Sequence, residues 1–142
     1  MSDSLPVRMQ RFYERLAIER GPGLDRLGEI FTDDIRFRDP FRETEGMAAF
    51  RVLFDRMFHH YREVRFTGFE LVGVDDAFTL TYDMHLRMRV GPAFITPMAS
   101  VCRTRDGLVC DLADYYDFPT SLVSPFAPLR ALYRGVTNKL FL

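Results

Sequence analysis

The sequence predicts an α+β protein in which N-terminal helices cover one face of a curved antiparallel sheet. Two observations carry this expectation. Apolar residues recur at helical spacing in three segments before Arg62, and from Val64 onward the period changes to two through four segments joined by very short turns. Connections that short leave only antiparallel neighbours. A third observation, Gly68 interrupting the alternation of the first long strand, predicts a bulge that bends the sheet.

Ser4 followed by Leu5-Pro6 reads as an N-cap with proline in the first turn, and Met9, Phe12, Tyr13 and Leu16 then form one helical face up to about Arg20. Gly21-Pro22-Gly23 breaks that helix. Leu24, Leu27, Ile30 and Phe31 make the face of a shorter second helix ending near Thr32, and Asp33-Asp34 leads into a short strand, Ile35 to Asp39. Arg42 to Gly46 reads as a loop. Phe50, Leu53, Phe54, Met57, Phe58 and Tyr61 are the buried stripe of a third helix, opposite Arg51, Asp55, Arg56, His59 and Arg62.

The strands are Val64 to Val74, Phe78 to Val90, Ala93 to Arg105 and Leu108 to Asp117. In the second of these, Leu80, Tyr82, Met84, Leu86 and Met88 should face the helices. Thr79, Thr81, Asp83, His85, Arg87 and Arg89 should face water or a partner subunit. Pro97 has no N–H to give to a ladder. After Pro119, Pro125 and Pro128, the residues Leu129, Leu132, Tyr133, Val136 and Leu140 line one side of a basic terminal helix. That helix is expected to close the mouth of the fold or pack on a second subunit, burying Phe126, in preference to lying on a membrane. Residues 1–142 are thus expected to be one domain, with 124–142 as a C-terminal helical extension.

The balance of 19 Lys plus Arg against 20 Asp plus Glu gives no field of one sign, so nucleic acid is not an expected partner. Met1 to Arg20 is charged throughout and no later run reaches membrane-spanning length, which makes a cytoplasmic location the default expectation. Cys102 and Cys110 flank the turn at Arg105-Asp106-Gly107. They could form a disulfide only if their side chains shared a face, and small core residues are the simpler reading. No closely spaced His or Cys set suggests a metal or a cofactor. The 14 Phe, 6 Tyr and 7 Met, with no Trp, suit a large curved core or an apolar pocket.

The most informative residue is Asp39. A strand that turns Ile35 and Phe37 inward must turn Asp39 inward as well, and Pro40 ends the strand there. Burying an unpaired carboxylate costs several kcal/mol, so such an acid is paired, wetted by a cavity or chemically employed. The competing reading is an end-of-strand acid that caps the following loop.

The segment Phe31-Thr32-Asp33-Asp34-Ile35-Arg36-Phe37-Arg38-Asp39-Pro40-Phe41, continued by Glu45-Gly46 and Ala48-Ala49-Phe50 and ending with Asp114-Tyr115-Tyr116-Asp117, resembles the nuclear transport factor 2-like superfamily. That superfamily is a cone-shaped α+β fold which includes the ketosteroid isomerases and SnoaL-type polyketide cyclases. The element order matches from about Val7 to Leu122. The resemblance implies that Asp39 falls on the isomerase base and Tyr13 on its oxyanion tyrosine, a pairing in which a carboxylate takes a proton beside a carbonyl while a phenol bonds the developing enolate oxygen. The second oxyanion acid of the isomerases does not carry over. Ser100 stands at its place, with Met98 and Cys102 as neighbours.

The cyclases keep an acid on the last strand. Here Cys110, Leu112, Asp114 and Tyr116 align with its pocket-facing positions, so Asp39 and Asp114 could share a cavity and split into an acid and a base. Alternatively, Asp114 bonds a backbone group or an arginine and only holds the sheet closed.

Phe54, Tyr82, Met84, Met98, Ser100, Cys102, Leu112 and Tyr116 are the expected substrate-binding residues, and a small apolar carbonyl compound is the implied ligand. The implied chemistry is a cofactor-independent isomerase, cyclase or dehydratase. A non-catalytic ligand-binding or dimerisation module is the alternative, and a homodimer through the outer sheet face is the expected assembly. His59 and His60 read as solvated caps at a helix end. His85 reads as part of a cross-strand or dimer-face network.

Overall fold

The computed structural model describes residues 3–141. Helix α1 (Leu5–Glu19) is followed by 3₁₀ turns over Gly21–Glu29, then strands β1 (Phe31–Arg38) and β2 (Glu43–Glu45) and helix α2 (Met47–His60). Strands β3 (Tyr61–Val74), β4 (Ala77–Met88), β5 (Ala93–Arg105) and β6 (Leu108–Tyr115) come next. Helices α3 (Phe118–Val123) and α4 (Ala127–Phe141) end the described chain. The α+β class and the four-stranded antiparallel meander are as the periodicity predicts. All six strands form one curved, unclosed sheet in the order β2-β1-β6-β5-β4-β3.

The element with no counterpart in the meander is the most consequential. β1 pairs parallel to β6, with Phe37 opposite Leu112 and Arg38 opposite Ala113. The next pair along that register is Asp39 and Asp114. Two acids 75 positions apart therefore meet at one end of the sheet because their strands run side by side with the same parity.

The second predicted helix differs from expectation. Its residues form 3₁₀ turns that stop at Glu29, and Phe31 begins β1, four residues before the expected strand start. The three-residue period still turns Leu24 and Leu27 inward, so the core face survives the change of helix type. Phe31 and Ile35 lie in the core beside Phe50 of α2, whose ring sits edge-on to Phe31 with centroids 4.8 Å apart. Each such buried side chain contributes about 1.5–3 kcal/mol.

β3 carries the expected bulge. Thr67 pairs with Asp83 and Glu70 with Thr81, so β3 spends one extra residue at Gly68, which takes φ 69°. A second bulge places two residues of β6 against one step of β5, since Thr104 pairs with Val109 and Arg103 with Asp111. Cys110 is the unpaired residue. The bulge removes it from the inward series of Leu112 and Asp114, so it neither faces the interior with them nor stands opposite Cys102, and both thiols are free. Pro97 is tolerated because β6 has already ended at Tyr115, opposite Ala99, leaving β5 one neighbour there.

β4 divides its faces as predicted, with Leu80, Tyr82 and Leu86 buried. On its outer face His85 contacts Thr67 at 2.8 Å and Arg65 at 3.3 Å across to β3.

The terminal helix departs from expectation. No residue of α4 is buried, its main neighbour is α3, and Phe126 is 42% exposed. Only Tyr133 and Thr137, on the side facing α3, lose part of their exposure. Leu129, Leu132, Val136 and Leu140 point to solvent. No described helix is long and apolar enough to cross a membrane.

Candidate active site

The concave side of the sheet and α2 enclose a cavity of about 460 Å³ that opens at the end where β1 and β6 stop. Aromatic and aliphatic side chains make up most of its wall: Phe37 from β1, Phe50, Leu53, Phe54 and Met57 from α2, Tyr82, Met84 and Leu86 from β4, Met98 from β5 and Leu112 from β6. Tyr13 reaches it from α1, where its ring stacks on Phe66 at 5.1 Å. Phe41 and Phe118 flank the mouth with ring centroids 5.8 Å apart. Phe118 is held there because Asp117 caps α3 through the Thr120 N–H, and the Ser121 hydroxyl bonds Thr96 on β5.

Asp39 and Asp114 both line this cavity, in different environments. The Asp39 side chain is only 5% exposed. Its Oδ1 accepts the backbone N–H groups of Phe41 and Arg42, both at 2.9 Å, which is the loop-capping arrangement of a turn acid. Its Oδ2 accepts from Arg42 Nε and from the Tyr116 hydroxyl, each at 3.2 Å. Four donors thus engage one carboxylate. The phenol of Tyr116 is pushed up by burial and by the Asp39 charge beside it, so it stays protonated as a donor.

Asp114 lies deep among protein atoms with one side open to the cavity. Burial pushes its carboxyl up to about 7; the Asp39 charge pushes in the same direction, and a hydrogen bond from Ser100 opposes both. That bond, Ser100 Oγ to Asp114 Oδ1, is 2.6 Å long. Since Ser100 has one proton and gives it to Asp114, the Tyr82 hydroxyl 2.8 Å away donates to Ser100. The Tyr13 ring lies beside that of Tyr82, with centroids 5.8 Å apart. Both phenols are held well above their ordinary range, chiefly by burial. The Tyr82 and Ser100 hydroxyls therefore form a chain that ends on a carboxyl raised to about 7.

Of the expected binding residues, Phe54, Tyr82, Met84, Met98, Leu112 and Tyr116 line the cavity, while Ser100 and Cys102 do not. Both have the inward parity of β5, but they sit further along the strand, under α1. Ser100 is sealed behind Tyr82 and Asp114, and Cys102 packs against Met9, with Sγ 3.8 Å from Sδ. Burial pushes the Cys102 thiol up. Ser100 consequently acts on Asp114 and has no surface to offer a ligand.

Sequence reasoning missed the mouth: Phe41, Arg42, Arg56, His60, Tyr61 and Phe118. The one usable signal was the spacing of Arg56 and His60, four apart on a helix whose other face is apolar. It did not distinguish the rim of a cavity from open solvent.

The family model described as the SnoaL-like domain matches residues 9–112, nearly three quarters of the chain. The chain belongs to the SnoaL-like domain family. No curated protein sequence matches it. Several solved structures share the fold of this SnoaL-like protein. A hypothetical protein with a ketosteroid isomerase-like fold from Catenulispora acidiphila, solved in complex with trimethylamine, is 22% identical. It has a TM-score of 0.67, over 76% of this chain and 86% of the other. A candidate polyketide cyclase from Pseudomonas putida is 12% identical with a TM-score of 0.72, covering 87% and 98%. An LEH-like epoxide hydrolase from M. tuberculosis is 16% identical with a TM-score of 0.63, covering 87% and 96%. At these identities the likeness is one of fold, and the SnoaL-like cavity has to be read from its own residues.

Proposed function

We propose that this SnoaL-like protein binds a small, largely apolar carbonyl compound in the cavity and acts on it as a cofactor-independent isomerase, cyclase or dehydratase. Asp114 is the acid–base group in this reading. The observation that carries it is the pair of unlike carboxylates. Asp39 has all its principal lone pairs committed to four donors, whereas Asp114 has one hydroxyl partner, an opening to the cavity and a carboxyl raised to about 7. A group that titrates near the working pH is both a competent base and a competent acid. The resemblance of Asp39 to the isomerase base points to the other carboxylate, and the two assignments are experimentally separable.

Proton exchange provides the test. Wild type should accelerate deuterium incorporation alpha to the carbonyl of a small apolar ketone such as 2-tetralone, followed by proton NMR in D₂O. Asp114→Asn should remove about 100-fold or more of that acceleration, and Asp39→Asn much less. The reverse order would return the base role to Asp39. Exchange at the buffer rate across a series of such ketones would favour the alternative, a non-catalytic ligand-binding module. That alternative has support of its own in Ser100, which is sealed away from the cavity and cannot serve as a second oxyanion donor.

A homodimer through the outer sheet face belongs to the same proposal. Ile95, Pro97, Ala99 and Val101 form a continuous apolar row on the outside of β5, with Ile95 52% exposed. Sedimentation velocity should give a dimer for wild type and a monomer for Ile95→Asp. A wild-type monomer at all concentrations would refute it.

A further inference from the structure

The mouth of the cavity is basic, and the ordinary explanation for basic residues at that place is already taken. Arg56 and His60 lie four apart on the last turns of α2, and both line the opening together with Arg42. Cationic side chains at a helix C-terminus commonly serve its exposed carbonyls. Here Arg20 and Arg89 perform that service. Arg20 donates to the Phe58, Tyr61 and Arg62 carbonyls and covers the Phe58 ring at 5.0 Å, and Arg89 donates to the carbonyls of Phe58 and His59.

Arg56 and His60 make no side-chain hydrogen bond or ion pair with any described residue. Most other arginines of the chain do make such a bond. Arg42 uses Nε on Asp39 and leaves its terminal nitrogens free among the described residues. Of the two acids that line the cavity, Asp39 is already engaged by four donors and Asp114 is bonded by Ser100. The opening thus presents the Arg56 guanidinium and the His60 imidazole with no ion-pair partner among the described residues, in front of a wall that is mostly aromatic and aliphatic.

We propose that the ligand carries one anionic group, a carboxylate or an acid of like charge, at the end that remains in the mouth, and that Arg56 with His60 binds it. The substrate class narrows from an apolar carbonyl compound to an apolar keto acid or similar amphiphile. Its apolar body and reacting carbonyl enter toward Asp114, and its charge stays outside. The inference rests on the cavity being a binding site, as proposed above. It adds a direction of entry. A guanidinium at the rim also draws an anion in from solution, which raises the rate of encounter more than the final affinity.

A matched pair of dyes tests the idea with the whole protein: 8-anilinonaphthalene-1-sulfonate, which is apolar with one anionic group, and the neutral N-phenyl-1-naphthylamine. Fluorescence titration should show both dyes bound and the sulfonate bound more tightly. Arg56→Gln should weaken the sulfonate about five-fold or more while leaving the neutral dye within two-fold, and His60→Gln should do the same to a smaller extent. Met84→Trp, which fills part of the cavity, should weaken both dyes. Neutral-dye binding with no preference for the sulfonate, or sulfonate binding indifferent to Arg56→Gln, overturns the anion site and leaves the cavity standing. Binding of neither dye overturns both readings, and sulfonate binding unchanged in Met84→Trp places the dye elsewhere and overturns the anion site.

Discussion

Replacing Asp114 by asparagine removes a titration while keeping the shape of the side chain and its acceptor for Ser100. In the unfolded chain an aspartate ionises near 3.8, whereas in the fold Asp114 holds its proton until about pH 7. Between those two values the folded state keeps a proton that the unfolded state has released. The contribution of Asp114 to wild-type stability therefore falls as pH rises through that window and levels off above pH 7. The displacement corresponds to about 4 kcal/mol if the site is dry, and to about 2 kcal/mol once water in the open cavity screens half of it.

The amide of the Asp114→Asn variant carries no such loss. The stability of the variant minus that of wild type should be near zero at pH 4 and should rise to about 2–4 kcal/mol in favour of the variant at pH 8. Urea unfolding at pH 4, 6 and 8, followed by far-UV circular dichroism, measures the difference, and every other carboxylate cancels in the subtraction. A difference that is the same at pH 4 and pH 8 would refute the reasoning, because it would mean that Asp114 ionises normally in the fold.

The neighbours of Asp114 should move its titration in opposite directions. Ser100→Ala removes a hydrogen bond that holds the carboxyl down, so the midpoint should rise above that of wild type, whereas Asp39→Asn removes a like charge and should lower it. Carboxyl carbon NMR of labelled aspartate reads both shifts, and movement in the same direction would contradict the assignment. At the β3–β4 turn Gly73 has φ 113°, and an added Cβ would stand 2.6 Å from the Ala77 carbonyl oxygen. Gly73→Ala should cost roughly 2 kcal/mol or more in thermal unfolding. Gly107→Ala, with φ 76° and open space around the added Cβ, should cost only about 1 kcal/mol. Arg20→Ala should lose about 2–3 kcal/mol with its carbonyl contacts. Arg20→Gly should lose about 1 kcal/mol less, because glycine accepts φ 57° without strain.

Much of this architecture was legible residue by residue. The period-two alternation of Leu80, Tyr82, Met84 and Leu86, the bulge at Gly68 and the apolar stripe of α2 all follow from local pattern, because which face a side chain takes is decided by backbone period. The 3₁₀ turns over Gly21–Glu29 read as an α-helix in the sequence, because Leu24 and Leu27 are spaced three apart and satisfy either period over so short a run. Cys110 reads as an inner-face residue because a bulge is invisible to a count of alternate positions unless a glycine marks it. Ser100 and Cys102 have the expected parity at a different depth. Parity assigns a face, and only the packing of α1 over that end of the sheet decides how far the cavity extends.

The sequence by itself determined that Asp39 would face inward, since it follows the inward Phe37 by two, and the family resemblance implied the same of Asp114. It could not determine what each acid would meet there. The tertiary structure decided that by pairing β1 parallel to β6, which brings the two carboxylates to the same end of one cavity. The turn after Asp39 folds Phe41 and Arg42 onto the first carboxylate and Tyr116 reaches it from the end of β6, while burial behind Ser100 and Tyr82 keeps the second one poorly solvated. The chemistry of a carboxyl is set by its donors and by its access to water. Asp39 takes three of its four donors from the turn that follows it, whereas Tyr116, and the Ser100 and Tyr82 that cover Asp114, come from segments far away in the chain, which is why two aspartates that read alike in the sequence differ in the fold.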